Sequence, residues 1–145
     1  MIRAVKVVSK KDCPRDPGDS IDLDFDQRHR RRITMHSNGG REFLLDLPKA
    51  VAIADGDRLE LEDGSLIAVN ARPETVAEVT ASDVQHLTKI AWHLGNRHLP
   101  TEIMDGCLRI RDDHVIVDML RKLGANVEIV EAPFQPEGGA YGHEH

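Results

Sequence analysis

Of the eight histidines in 145 residues, three stand where their chemistry could matter. His98 closes the run Trp92-His93-Leu94-Gly95-Asn96-Arg97-His98, just past a glycine. His143 and His145 follow in Gly142-His143-Glu144-His145. A neutral imidazole nitrogen suits nickel, zinc and copper, whereas hard ions prefer carboxylate-rich sites. One residue separates His143 from His145 on a glycine-rich segment, so both rings can turn to one ion. Taken singly, these signals are weak. A lone histidine is more often structural or solvated, and a short H-x-H can arise by chance or from a tag.

The two sites gain meaning together. His93 and His98 lie five apart, which on a continuous helix is about 500° and leaves the rings about 140° out of line. A helix stop at Gly95 would free His98 from the helix axis and leave His93 a bystander. One His98 per chain cannot hold a transition metal tightly, but a two-fold axis would bring two copies together. Tail histidines would complete a nitrogen-rich site. Such a site would be exposed, suited to loading and release more than to catalysis. Binding should fade as pH falls, because protons compete for the ligand nitrogen.

The elements around these residues divide into two halves. Residues 1–71 read as β structure: Ile2 to Val8, then Ile21, Leu23 and Phe25 alternating with Asp22, Asp24 and Asp26, then Ile33 to His36. Phe43, Leu45 and Leu47 continue the alternation up to Pro48. Leu59 and Leu61 lead into Glu62-Asp63-Gly64-Ser65, a hairpin signal, and Leu66 to Val69 leads out. A small sandwich or barrel-like sheet is expected, acting as a partner- or peptide-binding module. The basic run Gln27-Arg28-His29-Arg30-Arg31-Arg32 reads as a solvated edge or turn that discourages edge pairing. Its other reading is a docking surface for an acidic protein.

Residues 72–134 change pattern. Val76 to Thr80 is a strand. Ser82 and Gln85 form a capping box for a helix over 83–94, with Val84, Leu87, Ala91 and Leu94 as its stripe, Ile90 alongside, and Gly95 as its stop in the left-handed position. Thr101 to Met104 and Leu108 to Ile110 flank the turn Asp105-Gly106. Asp112 or Asp113 caps a second helix, striped by Val115, Met119 and Leu123 with Ile116 and Leu120 beside them, and stopped by Gly124. Asn126 to Val130 is the last strand. Strand, helix, strand, strand, helix, strand is the ferredoxin-like βαββαβ arrangement. The fold class is therefore α+β: a small all-β domain, a ferredoxin-like domain, and a flexible histidine-containing tail over 135–145.

Composition narrows the partners. A net charge of -6 and 3% aromatic content argue against nucleic acid. Cys13 and Cys107 are far apart, so neither a disulfide framework nor a four-cysteine zinc site is expected. No run approaches the roughly 20 apolar residues of a membrane span, and the N-terminus is too short and charged for a signal peptide. A soluble cytoplasmic protein is expected.

No H-E-x-x-H, G-x-S-x-G, phosphate loop or dinucleotide fingerprint is present in the sequence. Asp113 reads as a helix cap. His86, His93 and His114 read as helix-surface or packing residues, and His29 and His36 have no ligand partner in the β half. No catalytic constellation emerges, so the chain is not expected to be an enzyme. Two further readings stay open: a protein-interaction adaptor with incidental histidines, and a metal-dependent enzyme. Nickel titration separates the adaptor from a metal carrier, and turnover of a small molecule would reveal an enzyme.

The residues resemble the urease accessory nickel metallochaperones, the UreE family. The likeness covers nearly the whole chain. It is most specific at Leu94-Gly95-Asn96-Arg97-His98, Arg109-Ile110, Asp113-His114-Val115, Ala132-Pro133-Phe134, Pro136-Glu137 and Gly139-Ala140-Tyr141-Gly142-His143. Leu47-Pro48, Asp55-Gly56-Asp57 and Glu62-Asp63-Gly64 add a softer pattern. The resemblance implies a homodimer built through the second domain, and an N-terminal domain that meets protein partners. It implies Ni(II) delivery to apo-urease in complex with the urease accessory GTPase, with zinc or copper able to occupy the same ligands. The interfacial metal ligand maps onto His98 and the tail ligands onto His143 and His145. A histidine found in some members two before the Asp113-His114-Val115 histidine is Asp112 here, which argues against a peripheral site at His114. With only two tail histidines, delivery is implied more than storage.

Overall fold

A computed structural model describes residues 1–138, and its contacts divide it into two compact units, Met1–Arg72 and a second from Pro73 onward. The protein is α+β. The first unit holds one six-stranded sheet in the order β2-β6-β5-β1-β4-β3. Its strands are β1 (Arg3–Val8), β2 (Ser20–Leu23), β3 (Arg32–His36), β4 (Glu42–Asp46), β5 (Arg58–Leu61) and β6 (Leu66–Ala71). The pairs β1–β4 and β2–β6 are parallel and the others antiparallel.

The alternating residues expected to face inward do so. Ile21, Leu23, Met35, Phe43, Leu45, Leu59, Leu61, Ile67 and Val69 form one buried cluster. The two end strands return to each other at one corner. The Asn38 amide donates to the Ser20 carbonyl at 2.7 Å, and the Ser37 hydroxyl donates to Asp19 at 2.6 Å. The sheet is thus nearly closed. The β5–β6 hairpin turns where expected, with Gly64 at φ 83° and the Asp63 carboxylate accepting from the Ser65 amide.

One expected strand is shorter. Alternation carries β2 through Phe25, but the chain leaves it at Leu23 and makes a one-turn helix, α1 (Phe25–Arg28). Asp24 and Gln27 form a reciprocal capping box that holds this turn. The basic run is split by it. Arg28 is buried, donating to the carbonyls of Leu23 and Ile53, whereas Arg30, Arg31 and Arg32 are exposed.

The second unit runs β7 (Glu74–Thr80), α2 (Val84–Asn96), β8 (Glu102–Met104), β9 (Cys107–Arg111), α3 (His114–Lys122), β10 (Asn126–Ala132). The sheet order is β10-β7-β9-β8, antiparallel throughout. Ala77, Val79, Leu108 and Ile110 line one face, and Ile90, Leu94, Val117 and Leu120 from the helices pack on it.

The helices differ in detail from expectation. Asp83, not Ser82, caps α2: its carboxylate accepts from the His86 amide at 2.7 Å, a stronger acceptor one residue closer. Val84 falls off the buried stripe and is exposed, leaving Leu87, Ile90, Ala91 and Leu94 inward. On α3 the expected flank Ile116 and Leu120 packs inward with Met119 and Val117, while Val115 and Leu123, the other members of the Val115, Met119, Leu123 row, are exposed. A step of four residues advances about 40° around a helix, so that row drifts away from the face set by Leu120. Val115 ends 63% exposed.

Candidate metal centre at the end of the second domain

Strand register gathers the chemistry-bearing residues at one end of the second sheet. Glu74 opens β7 opposite Ala132, where β10 ends. Arg111 closes β9 opposite Val76, and Glu102 opens β8 opposite Arg109. The helix α2 returns to this same end, and α3 starts from it. The His98 turn, Asp112, Asp113, His114 and the exit from β10 therefore share one end of the domain. A small cavity of ≈ 90 Å³ lined by Leu99, Pro100, Arg111, Asp113 and Ile116 joins the turn to the start of α3.

The turn itself departs from expectation in a telling way. α2 does not stop at Gly95 but runs through it to Asn96, and Arg97 is the C-cap. The residue in left-handed conformation is His98, at φ 58°. The His98 amide donates to the Gly95 carbonyl at 3.0 Å, and the Leu99 amide to the Leu94 carbonyl at 3.2 Å. This is the paired-bond C-terminal motif in which glycine is the usual occupant of the position His98 holds. Leu94 is fully buried and Leu99 packs against the same cluster, which supplies the hydrophobic contact of that motif.

His98 is exposed, and among the described residues no side chain hydrogen-bonds its ring. Holding a residue with a Cβ in this left-handed conformation costs about 1 kcal/mol or more in folding. Sequence reading expected the glycine to supply the left-handed residue because glycine does so at no steric cost.

The remaining histidines are placed as packing or surface groups. His93 is half-buried with its ring edge-on to Trp92, the centroids 5.2 Å apart. His86 bonds the Leu123 carbonyl at 2.8 Å, tying the start of α2 to the end of α3. His36 pairs with Glu42 across β3 and β4 at 2.7 Å. His114 is exposed as the first residue of α3, behind its cap Asp113. His143 and His145 lie outside the described residues. Among the described residues no three His, Cys, Asp or Glu side chains come together as a metal site, so His98 alone does not make one.

One cluster was not anticipated. Strand alternation puts Glu78, Glu102 and Arg109 on the face that the helices leave open. Arg109 is 15% exposed and bonds Glu78 at 2.6 Å, with Glu102 at 3.8 Å. Its guanidinium also donates to the Pro133 carbonyl at 3.3 Å. The Gln135 amide donates to Glu102 at 3.1 Å, and the Glu137 amide to the Thr101 carbonyl at 2.8 Å. Phe134 between them is fully buried. The expected flexible tail thus begins with a strap pinned across the open face. The signal available in the sequence was the charged trio on one strand face, followed by a lone aromatic after Pro133.

The chain matches two family models, "UreE urease accessory protein, N-terminal domain" over residues 6–72 and "UreE urease accessory protein, C-terminal domain" over residues 74–145. Relatives carry the same description, urease accessory protein UreE. One from Rhodopseudomonas palustris is 54% identical over 145 residues, all of this chain and 67% of its own length. One from a Bradyrhizobium species is 56% identical over 141 residues, 97% of this chain and 67% of its own. One from a Chelativorans species is 52% identical over 151 residues, all of this chain and 94% of its own. With both halves matched in order and identity near half over full length, the chain belongs to the UreE family of urease accessory proteins, which serve urease maturation and are not themselves enzymes.

Proposed function

We propose that this protein binds nickel and delivers Ni(II) to apo-urease during assembly of the urease active site. His98 supplies the central ligand, and His143 and His145 join it. The observation that carries the reading is the exposed His98 ring, with no side-chain partner among the described residues, in a backbone conformation most often left to glycine. Residues held in sparsely populated backbone conformations cluster at binding and active sites. The donor set fits the cargo, since imidazole nitrogens suit nickel, and zinc or copper would bind the same groups.

A single His98 per chain supports the homodimer, in which a two-fold axis through the second domain brings two copies of the turn to one ion. The strand order β10-β7-β9-β8 with two helices on one face supports the ferredoxin-like reading of that domain. The nearly closed N-terminal sheet is assigned to partner or peptide binding, with the urease accessory GTPase and the apo-urease complex as partners. No helix among the described residues is long and apolar enough to cross a membrane, in keeping with action in the cytoplasm.

The test is reconstitution. Nickel-loaded protein, the accessory GTPase with GTP, and apo-urease are combined with a chelator that captures free nickel. Urease activity is expected only with the loaded protein present. Equal activation by the same nickel added free under chelator would defeat the delivery reading and favour an adaptor.

A further inference from the structure

Arg58 opens β5 opposite Val8, the last residue of β1. Leu59, next along β5, points into the core of the first domain, so strand alternation turns Arg58 to the outer face. Arg58 is nevertheless only 8% exposed. A buried guanidinium is expected to be paired. Two other arginines show how this chain does it. Arg3 presents Nε and Nη2 to Glu62 at 3.3 and 3.1 Å, and Arg109 presents the same two atoms to Glu78 at 3.1 and 2.6 Å. Arg58 differs. Its Nη1 donates to the Gly56 carbonyl at 2.8 Å, but its buried Nε has no partner, and no carboxylate pairs with it among the described residues.

The residue borders a cavity of ≈ 710 Å³, a size that admits a small molecule, shared with Ser9, Lys10, Lys11, Asp55 and Asp57. A single 3₁₀ turn after β1, Lys10–Asp12, brings the two lysines there. Lys10 lies over Gly56, where an added Cβ would come 3.6 Å from its Cδ. Both lysines are exposed and form no ion pair among the described residues. The two aspartates serve the backbone: Asp57 accepts from the Ala54 amide at 2.9 Å, and Asp55 from the Ala71 amide at 2.8 Å. Three cations against two carboxylates leave the lining positive.

We propose that Arg58, Lys10 and Lys11 form an oxyanion-binding site in the first domain, which takes the carboxylate or phosphate group of a small molecule. The Nε–Nη2 edge of Arg58 grips the anion, the edge by which Arg3 and Arg109 hold their carboxylates. Because Nε is screened from solvent, the guanidinium must shift to share it with the anion, and the Nε–H resonance reports that shift. Lys10 and Lys11, on long flexible stems, add charge without fixed geometry and draw the anion in. The site lies within Met1–Arg72 and shares no residue with the nickel reading, so neither depends on the other.

The experiment titrates full-length, metal-free protein with inorganic phosphate, with acetate and with chloride at matched ionic strength. The Arg58 Nε–H resonance is followed by NMR, together with the Lys10 and Lys11 amides. Saturable movement with phosphate or acetate and not with chloride is expected, and the tighter of the two names the group. Arg58→Lys keeps the charge and loses the fork, and is expected to bind at least about tenfold more weakly by the amide signals. The double variant Lys10→Ala with Lys11→Ala alters only exposed side chains and should weaken binding about twofold or more. Asp57→Asn keeps an acceptor for the Ala54 amide and removes an opposing charge, so it should tighten binding about twofold. These last two variants decide the matter even where Arg58→Lys fails to fold. No saturable movement with either oxyanion, an equal response to chloride, unchanged affinity in the lysine variant, or weaker binding in Asp57→Asn would overturn the proposal.

Discussion

The His98 amide donates to the Gly95 carbonyl at 3.0 Å, and His98, not Gly95, carries the left-handed backbone angle of 58° that closes α2. The helix end is thus built on the candidate ligand itself. His98→Gly should leave the metal-free protein as stable as the parent, or more stable by up to about 1 kcal/mol. His98→Ala should gain nothing, because alanine keeps the Cβ that makes this conformation unfavourable. Thermal unfolding of the metal-free variants checks this, and a glycine variant less stable than the alanine variant would speak against the assignment.

A second left-handed position, Gly124 at φ 88°, closes α3 against His86. A Cβ there would lie 3.2 Å from the His86 ring, whose Nε2 bonds the neighbouring Leu123 carbonyl. Gly124→Ala is therefore expected to cost about 1–2 kcal/mol. Gly138→Ala, where nothing lies within 4 Å, is the control and should change little. Denaturant unfolding gives both values.

Cys107 is set apart chemically. Burial first, and then the Glu78 carboxylate, push its thiol above the ordinary value. Since the thiolate is the reactive form, Cys107 should alkylate slowly at pH 8. Glu78→Gln removes one cause and leaves Arg109 without its closest carboxylate, so it should speed the reaction. Mass mapping of iodoacetamide labelling over time reads the rate. A slower rate in the variant would contradict the stated cause.

Acid should loosen the first domain through Asp19. The Ser37 hydroxyl foremost, then the Ser20 and Gly39 amides, hold its carboxyl below the usual range against the opposing effect of burial. A depressed folded value means the stabilisation is present above the unfolded value of about 3.9 and is lost as pH falls through the folded one. Asp19→Asn should be less stable than the parent at pH 7 and converge toward it as pH falls below the unfolded carboxylate value and through the depressed folded one. Urea midpoints across pH supply the comparison; parallel curves would contradict it.

Much of this was legible in sequence because periodicity is a direct record of burial. Phe43, Leu45, Leu59 and Leu61 alternate and are all buried. Asp-Gly at 63–64 turns the hairpin, and Leu87, Ile90, Ala91 and Leu94 bury one face of α2. What was not legible depended on competition between near-equal local choices. Asp83 displaced Ser82 as the cap, Asp24 with Gln27 converted a strand end into a helical turn, and α3 had five apolar residues from which two faces could be drawn. The strap was hidden for another reason. Its restraints join residues more than 20 apart, Arg109 to Pro133 and Glu102 to Gln135, and composition alone reads a proline- and glycine-rich segment as mobile.

The central claim is that His98 holds nickel at the junction of two chains. Calorimetric titration of the metal-free protein with nickel, beside His98→Ala, tests it most directly. The expected result is about one tight ion per dimer in the parent and at least about tenfold weaker binding in the variant, the loss of about 1.4 kcal/mol or more. Equal affinity in the two proteins would contradict the account.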